Sequence, residues 1–153
     1  MQKTIITLIC LVSLTSLRPG VPLATLTCKS ESGRTFFTAE LPECRFLVKG
    51  EFSIDGSKLN FGQTDFSSII FDSENKVFTM GLQSDPNPSK KTFFLQLWAI
   101  PSTIKKIKSE KGTGSQFHDI YEFKAKIYAT EPRKGFDNNT KIIELNCTLD
   151  YQL

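Results

Sequence analysis

Few residues of this chain have side chains that could do chemistry, and the cysteines and the single histidine come first among them. The sequence contains Cys10, Cys28, Cys44, Cys147 and His118. No two cysteines have C-x-x-C spacing, and one histidine cannot complete a common zinc set. The sequence therefore predicts no metal site, and no pattern in it predicts a catalytic set or a bound cofactor.

His118 is the only residue on which a hydrolase triad could be built, because the chain has no second histidine. It falls on the polar side of a predicted strand, beside Asp119, where a solvent-facing position is favoured over a general base. Ser32 lies in a Glu-Ser-Gly turn sequence without the G-x-S-x-G pattern of a nucleophile elbow. A secreted hydrolase is therefore only the third interpretation of the chain.

The first 24 residues have the pattern of a secretory signal peptide. Lys3 is followed by an uncharged and largely apolar run at 4–17, shorter than the about 20 residues that a membrane-spanning helix needs. Cleavage after Ala24 would leave residues 25–153 as a secreted or periplasmic protein. Membrane attachment through a lipid on Cys28 is disfavoured, because Thr27 stands where a lipoprotein signal has Gly, Ala or Ser.

Removal of this segment changes both the charge and the cysteine count. The formal charge falls from +3 to +1 because Lys3 and Arg18 are lost, which leaves no electrostatic reason to bind nucleic acid. Three cysteines remain in an oxidising compartment. One disulfide and one free thiol is the simplest arrangement.

The rest of the chain predicts a single all-β domain over residues 25–153. Phe, Tyr, Val, Ile and Thr alternate with polar residues in short runs, and turn sequences such as Asp55-Gly56 separate the runs. We expect one antiparallel β-sandwich or up-and-down barrel of about nine strands. The predicted strands cover 25–30, 34–40, 45–54, 57–61, 67–72, 77–83, 92–100, 116–130 and 140–151.

The alternation within these strands also bears on the disulfide. Cys28 and Cys147 each share the apolar side of a strand, the first and the last of the domain, so a bridge between them would close the domain end to end. In the strand predicted at 45–54, Phe46 and Val48 are expected to point inward, and Cys44, just before it, shares their phase, so a Cys28–Cys44 bridge is the main alternative.

Residues 101–115 do not follow the strand pattern. Ser102 could cap one or two helical turns, which predicts a short helix near residues 102–110. A loop or an irregular strand is nearly as well supported.

The candidate partner surface combines a basic cluster with an aromatic residue. Lys105, Lys106 and Lys108 lie in KKIKSEK, and Trp98 points to the face opposite Leu97 in the preceding strand. The Phe36-Phe37 and Phe93-Phe94 pairs likewise place one ring on each sheet face. Outward aromatic residues of this kind indicate a binding surface or packing beneath a loop.

The function we expect is an exported, non-catalytic β domain that binds a protein or a cell-envelope component, such as a glycan. The alternative is a carrier of a small apolar ligand in a barrel cavity, with the secreted hydrolase third. Asn138 and Asn146 each begin an Asn-x-Thr sequence, which is a glycosylation acceptor where the host has that pathway.

Overall fold

The computed structural model describes residues 23–63, 65–83, 94–114, 116–129 and 142–152. These residues form ten antiparallel strands, and the all-β class predicted from the sequence is confirmed, with ten strands in place of about nine. Most of the predicted signal peptide, together with Phe93 and Asn138, lies outside the described residues. The strands are β1 (Leu23–Lys29), β2 (Thr35–Pro42), β3 (Lys49–Ile54), β4 (Ser57–Gly62), β5 (Phe66–Asp72), β6 (Val77–Gln83), β7 (Phe94–Ala99), β8 (Lys105–Lys111), β9 (Phe117–Ala129) and β10 (Ile143–Gln152).

All ten strands belong to one curled sheet that forms a half-barrel. The order along the sheet is β4-β3-β2-β1-β10-β9-β7-β6-β5, and β8 pairs with the first half of β9. Side chains on the concave side pack into one apolar core. Its largest fully buried members are Phe37, Phe78, Leu26, Leu41, Met80, Leu82, Leu95, Leu97, Ile127, Leu145 and Leu149.

The half-barrel stays open because its two edge strands, β4 and β5, cannot pair with each other. Each neighbouring pair along the path is antiparallel, so the eight steps from β4 to β5 give these two strands the same direction. Parallel neighbours need a connection of a dozen residues or more. Since β4 ends at Gly62 and β5 begins at Phe66, only three residues join them. The meander therefore ends in two edges instead of closing into a barrel.

A disulfide joins the first and last strands at the centre of the sheet. β1 pairs with β10, and the register places Cys28 directly opposite Cys147. The two sulfur atoms are bonded, and the two Cα atoms are 4.0 Å apart. Both side chains are buried on the concave side. The predicted Cys28–Cys147 disulfide is thus confirmed, and Cys44 is a free, buried cysteine.

β1 begins two residues before the predicted mature start. Ala24 is fully buried, and it pairs with Tyr151 on one side and Leu41 on the other. Cleavage after Ala24 would remove this pairing from the mature domain, whereas cleavage before Leu23 would keep the whole strand. The position of the cleavage site stays a prediction.

The strand predicted at 45–54 is shorter than expected, and its first residues have the opposite orientation. β3 begins at Lys49, and a turn over Glu43–Phe46 precedes it. Within this region Phe46 is 47% exposed, whereas Leu47 is buried. The inward orientation predicted for Phe46 is therefore wrong, and Cys44 reaches the core from a turn instead of a strand.

The short helix predicted near residues 102–110 is wrong. Only Pro101–Thr103 form a single 3-10 turn, and Lys105–Lys111 form strand β8. β7 and β8 lie along the same side of β9, so together they resemble one strand interrupted by this turn. The backbone N–H of Ile100 donates to the carbonyl of Lys124, and the Thr103 hydroxyl accepts from the N–H of Lys124. These bonds hold the interruption against β9.

We predict that replacing both bridged cysteines (Cys28→Ala with Cys147→Ala) lowers the free energy of unfolding by about 4 to 5 kcal/mol. The bridge spans 119 residues, and releasing a loop of that size restores the corresponding chain entropy to the unfolded state. Urea unfolding followed by circular dichroism measures the change. Phosphine-reduced wild type serves as a second sample if the variant does not fold, and an unchanged midpoint in both samples would contradict the prediction.

We also predict that Cys44 does not react with alkylating reagents while the domain is folded. Burial raises the pKa of the Cys44 thiol to about 12, so almost no thiolate is present at about pH 8, and the sulfur is shielded from solvent. Iodoacetamide should label Cys44 only after unfolding in guanidinium. Mass spectrometry of the peptide that contains Cys44 gives the result. Labelling of the folded protein at the rate of a small free thiol would refute it.

Candidate binding surface

The outer, convex face of the sheet has an apolar part on β5, β6 and β7. Side chains that do not enter the core project outward because successive residues of a strand point to opposite faces. On these three strands the outward positions include Phe66, Ile70, Val77, Phe94 and Trp98. We call these five residues the apolar outer patch. Phe66 is 62% exposed and Ile70 is 55% exposed, whereas Trp98 is half-buried.

The strand register places four of these residues in two rows across the sheet, and the fifth, Val77, lies opposite Asp72. In one row, Gln83 lies between Phe66 and Phe94, and in the other, Thr79 lies between Ile70 and Trp98. The ring of Phe94 also contacts Tyr128 of β9, with the centroids 6.3 Å apart. Gly81 lies between the two rows, and a Cβ atom there would meet nothing within 4 Å. The middle of the patch is therefore a shallow hollow.

The four residues of the predicted partner surface do not share one environment. Trp98 and Lys105 are on the outer face, separated along the chain by the 3-10 turn. Lys106 turns to the concave side, and its Nζ lies 5.3 Å from the centroid of the Tyr121 ring. Lys108 forms an ion pair with Glu110 at 3.1 Å. Only Trp98 is part of the apolar outer patch.

The predicted orientation of the aromatic pairs is seen where the structure describes them. Phe37 is fully buried, and Phe36 is exposed on the outer face beneath Lys29 Nζ, 5.3 Å from its ring centroid. Phe94 projects outward, as described above.

A polar network that the sequence did not single out fixes β8 against β9. Asp119 is 8% exposed. Its carboxylate accepts hydrogen bonds from Lys106 Nζ at 2.7 Å, from the Ser109 hydroxyl at 2.6 Å and from the Tyr121 hydroxyl at 3.2 Å. The available signal was the position of Asp119, which shares the phase of the buried residues of β9. An acidic side chain that points inward among apolar ones must be hydrogen-bonded, which predicts a donor on the neighbouring strand.

The network also determines the charge state of both ions. Burial by itself raises the pKa of the Asp119 carboxyl, but hydrogen bonds from Lys106, Ser109 and Tyr121 outweigh burial and hold the pKa below its ordinary value. The hydrogen bond to Asp119 in turn raises the pKa of Lys106. Both groups are therefore ionised at neutral pH, and the carboxylate has a donor for each oxygen. Such a satisfied ion pair stabilises structure and leaves no reactive group.

His118 lies on the opposite side of β9 from Asp119, in contact with another acid. Its Nε2 is 2.9 Å from Asp150 Oδ1, and Gln152 donates a hydrogen bond to the same oxygen at 3.0 Å. A depression of about 380 Å³ adjoins the ring, lined by Glu110, Lys111, Gly112, Gln116, Phe117, His118 and Gln152. This lining contains no serine, threonine or cysteine. Among the described residues, the histidine thus has an orienting carboxylate, and the lining of this depression provides no nucleophile.

A second depression, of about 510 Å³, lies on the outer face near the interruption between β7 and β8. Side chains of both charges and several hydroxyl groups line it, including Thr103, Lys105, Glu122, Asn146 and Thr148. It is open to solvent, and both polar groups and side-chain carbon atoms line it.

The described part of the chain contains no group of three or more His, Cys, Asp or Glu residues arranged to hold a metal ion. It also contains no helix with the length and apolar character needed to cross a bilayer.

Comparison with known proteins gives no relative for this chain. No protein-family model matches it, and searches of curated proteins and of solved structures find no significant match.

We predict that Asp119→Asn lowers the free energy of unfolding by about 1 to 3 kcal/mol at pH 7, because charge-assisted hydrogen bonds to a mostly buried carboxylate are lost. The folded-state pKa of Asp119 lies below the unfolded value, so the wild type holds this stabilisation above about pH 4. It loses the stabilisation as the pH falls through the folded-state pKa. The difference between wild type and variant should therefore shrink at acidic pH.

Urea midpoints measured at several pH values check this prediction. Glu110→Gln is the matched control, because it removes an exposed carboxylate from the strand that Asp119 contacts and should leave the midpoint close to wild type. An Asp119→Asn effect that is equally large at the lowest pH would show that lost packing, and not lost charge, is responsible.

Proposed function

We propose that this chain is an exported, non-catalytic β domain that binds a protein or a cell-envelope component, and a protein foremost, through the apolar outer patch. The carrying observation is the concentration of exposed large apolar side chains on β5, β6 and β7. Large apolar side chains grouped on an exposed face indicate an interaction site, and aromatic residues are enriched in protein interfaces. The half-buried Trp98 and the more exposed Phe66 and Phe94 suit this use.

The disulfide supports the export part of the proposal. A bridge between Cys28 and Cys147 persists in an oxidising compartment and is rare in the cytosol. The apolar, uncharged run near the start of the sequence gives an independent reason to place the domain outside the cytoplasm.

The carrier alternative has less support from the described residues. Large apolar side chains from strands across the sheet fill the concave side, and they include Phe37, Phe78 and Met80. The two depressions described above are open to solvent, and charged and polar residues make up most of their lining. A carrier would need an enclosed apolar space of roughly 300 Å³ or more.

The hydrolase interpretation rests on His118 and its contact with Asp150. A triad also needs a nucleophile within hydrogen-bond reach of the imidazole, and the described residues that line the adjacent depression supply none. Cys44, the free thiol, is buried, with a pKa of about 12. Partner binding is the function that the geometry supports best.

We expect that replacing Ile70 and Trp98 together (Ile70→Ser with Trp98→Ser) reduces recovery of the native partner at least about tenfold, because both apolar contacts of one row are lost. The measurement is affinity capture from the native extracytoplasmic fraction, with the recovered protein quantified by mass spectrometry.

The control changes two exposed threonines that face each other on the polar part of the outer face, Thr27→Ala with Thr38→Ala. It should recover the same protein as wild type. Equal recovery by all three forms would contradict the use of the patch, and repeated recovery of a lipid or metabolite without any protein would count against the proposal.

A further inference from the structure

Among the described residues, three strands have an edge on which no other strand pairs, and they differ in how that edge is protected. β8 contains four lysines and has a bulge between Lys106 and Lys108. β4 contains Lys58, which forms an ion pair with Glu51. Edge strands commonly carry lysines, prolines or bulges, because these discourage pairing with another chain. β5 has none of them, and residues 66–71 carry no charge.

The inward side chains of β5 are also incompletely covered. Ile69 and Phe71 are half-buried, whereas their cross-strand partners on β6, Met80 and Phe78, are buried. The Phe71 ring lies 6.1 Å from the Phe78 ring and 5.1 Å from the Tyr121 ring, yet its side chain stays partly exposed at the edge of the core. A further strand beside β5 would cover the remaining surface of both residues.

The outer face of β5 belongs to the apolar outer patch through Phe66 and Ile70. Apolar side chains therefore flank the free edge on both faces of the sheet, while the edge itself offers backbone N–H and C=O groups. An extended peptide with apolar residues at alternate positions satisfies all three features, because its backbone pairs with the edge and its side chains lie against one face or the other.

The charge around this edge favours a basic partner strand. Residues 65–76 carry three acids, Asp65, Asp72 and Glu74, against one base, Lys76, in a chain whose net charge is +3. In the symmetric register that pairs Phe66 with Phe71, antiparallel pairing of two copies of β5 would bring Asp65 of one copy near Asp72 of the other at both ends. Like charges placed near each other across strands are destabilising. A peptide with basic residues at its ends instead places opposite charges near the same positions.

From these features we infer that the free edge of β5 is a strand-acceptor site for an extended segment of a partner protein, apolar at alternate positions and basic at its ends. The inference rests on the proposed function and deepens it, since it names how the partner binds. The partner strand adds to the sheet beside β5 and covers Ile69 and Phe71.

The probe is a panel of synthetic peptides of about nine residues, the span of one long strand. Each has lysine at both ends and alternates threonine with valine, isoleucine, leucine or phenylalanine. At least one member should bind with a Kd below about 1 mM. The same peptide with glutamate at both ends should bind at least about threefold more weakly at low salt, because of the acidic residues near the edge.

Backbone methylation separates strand pairing from apolar adhesion. In a strand, alternate N–H groups point to the same side, so methylating one alternate set removes the N–H groups that face β5, and methylating the other set does not. One methylated peptide should lose binding by at least about tenfold, while the other keeps it. Equal binding of both would overturn the inference, since adhesion to a face does not depend on which set is methylated.

The matched variants are Ser68→Lys and Gln96→Lys. Both residues are exposed on the outer face, and both pair with Gly81 from opposite sides. Each substitution therefore adds one positive charge beside Gly81 on the outer face, but only Ser68 lies on the strand with the free edge. We expect Ser68→Lys to weaken peptide binding at least about tenfold and Gln96→Lys to weaken it less than about threefold. Unfolding midpoints confirm that both variants fold.

The outcomes for this inference and for the proposed function are distinguishable. Failure of every peptide to bind below about 1 mM, or equal effects of the two lysine variants, overturns the strand-acceptor site even if the native partner is still captured. Concentration-dependent dimerisation that Ser68→Lys abolishes also overturns it, because the occupant is then a second copy. Peptide binding with the expected methylation pattern, but no native protein partner, supports the site and contradicts the proposed function.

Discussion

The connection between β4 and β5 is the constraint on which the rest of the structure depends. Its three residues cannot join parallel neighbours, and the antiparallel order of the sheet gives these two strands the same direction. The sheet must therefore curl without closing. Gly62 N–H donates to the Asp65 carboxylate at 2.8 Å across this connection, and Leu47 N–H donates to the Ser67 hydroxyl at 3.2 Å, which holds the start of β5 against the segment before β3. β4 ends and β5 begins at this connection, whereas the first and last described strands, β1 and β10, pair in the middle of the sheet.

Long strands were predicted well from the sequence because their alternation continues over many residues. The inward phase of β9 and β10 was clear, and with it the orientation of Cys147 and its pairing with Cys28. The orientation of residues 45–48 was predicted wrongly because the turn before β3 changes which side chains face the core. Glu43 and Cys44 have positive φ, and the N–H of Cys44 bonds to the carbonyl of Leu41. Pro42 at the second position of this turn is a turn signal, but Glu and Cys are not typical of positive φ, so the sequence does not show that the turn continues and changes the phase.

The strand β8 was not predicted because its amino-acid composition is not typical of a strand. Residues 105–111 contain four lysines and only one apolar residue, Ile107, which is exposed. No alternation is visible in such a segment, and tertiary contacts determine its conformation. Pairing with β9 and the bond between Lys106 and Asp119 supply those contacts. The lysines predicted as a partner surface are better explained by this position, since lysines on an edge strand discourage pairing with other chains.

The difference between β8 and β5 explains why a partner strand is expected at the edge of β5 and not at the edge of β8. On β8 the buried Asp119 neutralises Lys106, but Lys105 and Lys111 stay exposed along the strand. A second strand approaching there would have to desolvate those ammonium groups, which is costly without paired acids. β5 imposes no such cost between Phe66 and Phe71. Addition of a strand to this sheet is therefore favoured at the β5 edge, where apolar side chains already lie on both faces.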